Sequence, residues 1–185
     1  KQEIAKITNQ KPEEILMVSA KTGQNVEKIL ERVVKEVPAP EINISRPFKA
    51  LIFDSHFDAY KGIISYVKIV DGAVLKQKTI TALATKAKIQ VLENGVFKPE
   101  LMPSENLSSG EIGYIATGLK DSSLIKVGDT LAAGADVKPL PGYNEPKPMV
   151  WASFYPESAD DFDLLKDALS KLKLNDASLH FEPET

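Results

Sequence analysis

GIISYVKIVDGAV, residues 62–74, decides the fold. Its first nine residues are rich in β-branched and aromatic side chains and show no helical period. They end at Asp71-Gly72, a tight-turn dipeptide followed at once by more strand-like residues. Runs of the same kind lie on either side: KALIF (49–53), AVLKQKTITALA (73–84), AKIQVLE (87–93) and EIGYIATGL (111–119). Asn94-Gly95 reads as a second tight turn. Many short strands at this spacing predict an all-β barrel.

The flanks differ. In residues 1–40, Ile4 and Ile7 predict the end of a helix and Ile15–Val18 a buried strand of the parallel type. Val26, Ile29, Leu30, Val33 and Val34 then mark one face of a second helix, stopped by Pro38-Ala39-Pro40. Such a piece reads as the tail of an α/β domain. The barrel occupies 41–138, opening with the linker Glu41–Pro47, and the proline-rich 139–148 reads as a hinge. In 149–185, Met149–Tyr155 is strand-like, and Ser158 with Asp161 resembles a capping box. Phe162, Leu165, Leu169 and Leu172 predict a core-facing helix, and Ala177–Phe181 alternates as a strand. This β-α-β opening is too short for a whole domain. Together with Lys1 in place of an initiator Met, it predicts a chain cut from something longer.

Composition is that of a globular protein: 185 residues, 43% hydrophobic and 26% charged, with a net charge of −3. No global basic field marks a nucleic-acid binder, although a local patch would suffice. The absence of cysteine excludes disulfides and thiolate metal sites and fits a reducing cytosol. No apolar run reaches the roughly 18–20 residues of a membrane-spanning helix. Residues 1–40 carry seven basic and six acidic groups, 41–145 twelve of each, and 146–185 four basic and eight acidic. Within the neutral barrel, Lys76, Lys78, Lys86 and Lys88 occupy a stretch free of acids from Asp71 to Glu93.

Ser19-Ala20-Lys21-Thr22-Gly23, at the end of a strand and ahead of an amphipathic helix, resembles the fifth nucleotide motif of translational GTPases. GIISYVKIVDGAV and KVGDTL (126–131) resemble the start and end of their second domain. ALIFDSHFDAYKGII, GEIGYIATGLKD, PLPGYNEPKPMV and KLNDASLHFEPET resemble the elongation factor 4 (LepA) family more than elongation factor G. Gln77-Lys78 departs from the Gly-Asp usual there, and His56 stands where an aromatic such as tyrosine is common. The resemblance implies a multidomain, mainly β fold. A translation-factor barrel would be flanked by the last strand and helix of a GTP-binding domain and by the start of a ferredoxin-like α+β domain.

It also implies a parent protein that binds GTP and Mg²⁺, engages the ribosome (its RNA and proteins, and tRNA indirectly), and hydrolyses GTP there during back-translocation or rescue of stalled ribosomes. The implied location is the cytoplasm, with peripheral association at the inner face of the cell membrane. Ser19, Ala20 and Lys21 would form the guanine-binding loop, in which the Ala20 amide donates to the guanine carbonyl, Ser19 holds the loop and Lys21 covers the base. No GxxxxGK[ST], DxxG or NKxD occurs in the sequence, so this chain alone is expected neither to bind nor to hydrolyse GTP.

Lys76, Lys78, Lys86 and Lys88 are candidate contacts to ribosomal RNA phosphate; the plainer alternative is a solvated sheet edge protected from aggregation. His56 and His180 lack ligand spacing and read as structural. Asp160, Asp161 and Asp163 read as acids at a helix start and not as a metal site. Two other functions compete: the same segment of elongation factor G or another paralogue, and a free-standing RNA- or protein-binding barrel.

Overall fold

The computed structural model describes residues 1–134, 137–141, 149–174, 176 and 178–183. The chain divides into two compact units, Lys1–Pro40 and Glu41–Thr185.

In the first unit, α1 spans Gln2–Thr8 and ends at Asn9, whose backbone is left-handed at φ 55°. A 3-10 turn at Pro12–Glu14 leads to α2, Val26–Glu36. Both expected helices are present. The expected strand at Ile15–Val18 is not, and in its place stands an isolated bridge between Ser19 and Gln24. A strand exists only where a neighbour takes its N–H and C=O groups, and residues 1–40 contain no second strand. Of the apolar residues meant for it, Ile15 and Leu16 are half-buried and Met17 and Val18 exposed, as are Ile29 and Val33 on α2 and Val37 just beyond it. Arg32 bridges the segment ahead of α2, donating to the Glu14 carbonyl at 2.6 Å and pairing with Glu36 at 2.7 Å.

Among its described residues the second unit has ten strands: β1 Lys49–Asp58, β2 Gly62–Asp71, β3 Ala73–Leu75, β4 Thr79–Ala82, β5 Lys88–Gln90, β6 Glu93–Lys98, β7 Glu100–Pro103, β8 Asn106–Ser108, β9 Ile112–Ala116 and β10 Thr130–Ala132. Eight form one antiparallel sheet in the order β5-β4-β10-β1-β2-β9-β6-β7, and β3 pairs with β8. The segment from Lys88 to Lys98 closes the structure. Gln90 pairs with Thr79 of β4, Val91 donates to Lys78, and Leu92 already donates to Ala116 of β9. A single extended stretch thereby runs from the end strand β5 into β6, which pairs between β9 and the opposite end strand β7, and closes the sheet on itself as a barrel requires.

Alternation fills the interior. Ala50 and Ile52 of β1 point inward; a bulge between Ile52 and Asp54 leaves Phe53 exposed and shifts the inward phase to Ser55. Such an extra residue bends a strand and increases its twist, which a small barrel needs. Ile63, Val67 and Ile69 of β2 join Ile80, Ile89, Leu107, Ile115 and Leu131 in the main core. On the other face Ile64, Tyr114 and Ala116 form a smaller cluster under Tyr66, Phe97 and Leu101.

Two turn dipeptides fare differently. Gly72, at φ +69°, turns the chain from β2 into β3, although β3 then pairs with β8 and not back onto β2. Asn94-Gly95 is not a turn and lies inside β6. Asn94 is fully buried and donates to the Ser104 carbonyl at 3.1 Å. A Cβ at position 95 would overlap the Met102 carbonyl and the Tyr114 ring, so the glycine serves close strand approach.

In the third piece α3, Phe162–Leu172, forms as expected after a 3-10 turn at Ala159–Asp161. Ser158 Oγ accepts from the Asp160 amide at 3.3 Å, so it caps that turn and not α3. The expected core stripe is only part-buried. Phe162 and Leu172 are exposed, and the residue seated in the barrel core is Leu174, just beyond the helix. Lys171 Nζ lies 5.6 Å from the centre of the Phe57 ring. No strand forms over Met149–Tyr155 or over residues 178–181. Neither stretch has an adjacent strand among the described residues to pair with. Ala177 and most of the expected hinge (142–148) lie outside the described residues.

Candidate functional site

The loop that leads into α2 is closed by its own polar groups. Ser19 N–H donates to the Gln24 carbonyl at 3.1 Å, and Ser19 Oγ accepts from the Thr22 amide at 3.3 Å. Asn25 Nδ2 donates to the Met17 carbonyl at 2.8 Å. Gly23 at φ 76° and Asn25 at φ 59° supply the two left-handed positions such a reversal needs. Ala20 and Lys21 stand exposed at the tip of this loop. The arrangement presents a short run of backbone in front of a helix, where an amide can meet an acceptor on a ligand edge.

The four lysines flank β4 at its two ends. Lys76 and Lys78 occupy the turn between β3 and β4, where Gln77 takes φ +64°. That left-handed residue supplies the bend for which the sequence offers no glycine. Gln77 N donates to Val91 O at 2.8 Å and Val91 N to Lys78 O at 3.0 Å, so the turn is tied to the chain leaving β5. Lys86 lies in the β4–β5 turn, again at φ +64°, and Lys88 pairs with Thr81 on the edge strand β5. All four side chains are exposed. They stand as two pairs, one at each end of β4.

Two charged groups behind these turns were not singled out in the sequence. Asp129, buried at the entry to β10, accepts at one oxygen from the amides of Ala84 (2.9 Å) and Thr130 (2.6 Å). Burial pushes its carboxyl above its ordinary value, and those amides offset part of the effect. Its signal was the Gly128-Asp129 step inside KVGDTL. Glu93, at the start of β6, accepts at the same oxygen from Lys61 (2.6 Å) and from the Tyr114 hydroxyl (2.7 Å). Burial acts to raise its carboxyl, but the Lys61 and Tyr114 hydrogen bonds outweigh it and the net position is below the ordinary value. The Tyr114 phenol is pushed up, first by burial and then by the carboxylate it serves. No sequence spacing links residues 61, 93 and 114; only the barrel brings them together.

His56 packs against Tyr66 with ring centres 5.3 Å apart, and His180 is exposed. Among the described residues no group of three His, Cys, Asp or Glu side chains could hold a metal ion, and no helix is long and apolar enough to cross a membrane.

No protein-family model matches the chain. Curated relatives do. Elongation factor 4 of Kineococcus radiotolerans is 46% identical over 186 residues, covering 100% of this chain and 30% of that protein. The Cutibacterium acnes protein of the same name is 49% identical over 99% of the chain, and that of Mycobacterium tuberculosis 46%. Among solved structures, a Thermus thermophilus protein matches 89% of the chain, and 25% of its own, with a TM-score of 0.67 at 21% identity. A bacterial selenocysteine-specific elongation factor matches 70% with a TM-score of 0.53 at 15% identity. These structural likenesses concern the fold, and they agree with a translation-factor barrel. The sequence likeness is closer: over its whole length the chain belongs with the elongation factor 4 proteins, as a stretch equivalent to about 30% of their length.

Proposed function

We propose that this chain is the docking and interdomain segment of a ribosome-dependent GTPase. In this reading Lys1–Pro40 completes the GTP-binding domain, residues 41–138 form the ribosome-facing second domain, and 149–185 open the third. The observation that carries it is the likeness to elongation factor 4 along the whole chain, at 45–49% identity in several relatives. The closed Ser19–Asn25 loop adds support, because it leaves Ala20 and Lys21 outward where a base edge can approach.

The Ala20 amide would donate to the guanine carbonyl; adenine presents an amino donor at the same place and is repelled. Lys21 would lay its aliphatic stem on the base face. This fits the base half of GTP. The phosphates and Mg²⁺ would be held by residues of the longer protein, where they supply the charge stabilisation of phosphoryl transfer. Lys76, Lys78, Lys86 and Lys88 would meet ribosomal RNA phosphate. The intact protein would act in the cytoplasm, and at the inner membrane face peripherally, in back-translocation or the rescue of stalled ribosomes.

The test is sedimentation of the 185-residue chain with purified bacterial ribosomes across a KCl series. Saturable binding that weakens with salt, and weakens further when all four lysines are changed to Glu, is expected. Binding indifferent to both removes the docking role. For the loop, Ala20→Pro in the intact protein deletes the amide donor and should remove its preference for GTP over ATP.

A further inference from the structure

We infer that Asp129 is a positioning residue for the Lys86–Lys88 end of the β4–β5 hairpin, fixing the turn so that both lysines are preset toward an RNA backbone. The inference rests on the phosphate-contact reading above and goes beyond it by naming the buried group on which that contact depends.

The turn at residues 83–87 is held from below along most of its length. Ala84 N–H donates to Asp129 Oδ1 at 2.9 Å, and the same oxygen takes the Thr130 amide at 2.6 Å, so one carboxylate ties the turn to the start of β10. Leu83 N donates to the Thr130 carbonyl at 2.9 Å. Thr85 Oγ1 donates to the Leu124 carbonyl at 2.8 Å and accepts from the Ala87 amide at 3.4 Å. Lys86 N and Ala82 N, each at 2.9 Å from its acceptor, close the turn on itself. At its apex Lys86 takes φ +64°, a conformation that a residue with a Cβ holds only where its surroundings impose it.

A lysine that merely guards a sheet edge needs no such framework, since a mobile cation discourages pairing equally well. A buried carboxylate is moreover an unfavourable group with which to close a turn, even with the amides of Ala84, Thr130 and Thr85 acting on it. What the carboxylate provides is shape. With the backbone under Lys86 and Lys88 already ordered, a polyanion has less to immobilise on contact. The Lys76–Lys78 turn at the far end of β4 is tied to Val91 by backbone bonds alone, and so serves as an internal control.

The experiment is ribosome sedimentation of the full chain in a KCl series, with circular dichroism confirming the fold of each variant. Lys86→Glu is expected to lower the slope of log affinity against log salt by about one, the effect of one phosphate contact. Asp129→Ala, which releases both lysines, should lower it by up to about two, Asp129→Asn, which keeps an oxygen acceptor, should restore it, and adding Lys86→Glu to Asp129→Ala should lower it no further. If Asp129→Ala does not fold, Thr85→Ala loosens the same turn and should give the same drop. A Lys86→Glu effect with an unchanged slope in folded Asp129→Ala (or in Thr85→Ala) overturns the positioning role, as does full additivity. No effect of Lys86→Glu overturns the phosphate reading of this hairpin itself, and the inference with it.

Discussion

Tyr114→Phe isolates a single hydrogen bond in the Lys61–Glu93–Tyr114 cluster. The Tyr114 side chain is fully buried, so the substitution leaves the ring in place and opens no cavity. What is lost is a 2.7 Å bond from the hydroxyl to an ionised carboxylate. Hydrogen bonds to charged groups contribute roughly 1.5–3 kcal/mol. Glu93 keeps Lys61 at 2.6 Å and is 24% exposed, so the lower end applies, about 1.5 kcal/mol at pH 7.

The pH dependence follows from the direction of the Glu93 shift. Its folded carboxyl titrates below its ordinary value, so the stabilisation is complete above the unfolded value, about 4.3, and is lost as pH falls through the folded one. The wild-type chain therefore has the steeper acid limb, and the penalty of Tyr114→Phe shrinks toward pH 3. Urea unfolding followed by the β-sheet circular dichroism at pH 7 and pH 3 reads this directly. With a slope of about 2 kcal/mol/M, the midpoint should fall by about 0.7 M at pH 7 and by clearly less at pH 3. A loss below about 0.5 kcal/mol at pH 7, or one of equal size at both pH values, would refute the reasoning.

Three further outcomes are expected. Gly95→Ala should destabilise the barrel by about 3 kcal/mol, since the added carbon meets backbone at Met102 and the rigid Tyr114 ring; a change under about 1 kcal/mol in thermal unfolding would show that β7 yields easily. Asp129→Asn should gain stability relative to wild type as pH rises above the unfolded carboxyl value, about 3.9, because the folded Asp129 carboxyl titrates above it and the wild type loses stability as that group ionises; parallel pH profiles would contradict this. Trp151, 82% exposed, should be quenched by acrylamide about as readily as in the urea-unfolded chain, and marked protection would place it in a contact absent here.

The barrel was legible because its pattern is local. Alternating β-branched residues and punctuating turns mark β1, β2 and β9 without reference to anything else, and three helices were visible through their 3.6-residue spacing. Asn94-Gly95 misled because the same dipeptide that makes a hairpin turn also permits close strand approach, and only the position of Met102 and Tyr114 decides between them. Ile15–Val18 and Met149–Tyr155 misled for another reason. Their composition states that they are competent to be strands, but a strand is a relation between two segments, and its partner must be present.

The candidate site divides along the same line. Ser19-Ala20-Lys21 came forward through its resemblance to a nucleotide motif, and the four lysines through side-chain type in an acid-free stretch, all of them contiguous or nearly so. Asp129 and Glu93 were invisible as partners because the groups they serve lie 45 and 32 residues away at Ala84 and Lys61. Such carboxylates reveal themselves only through burial, which converts an ordinary acid into a group that must be satisfied by specific amides or cations. The distinction bears on function. In the proposed contact the exposed lysines would supply the chemistry and the buried Asp129 would set where they stand, so a substitution that preserves every surface charge would still abolish the contact by releasing the turn beneath it.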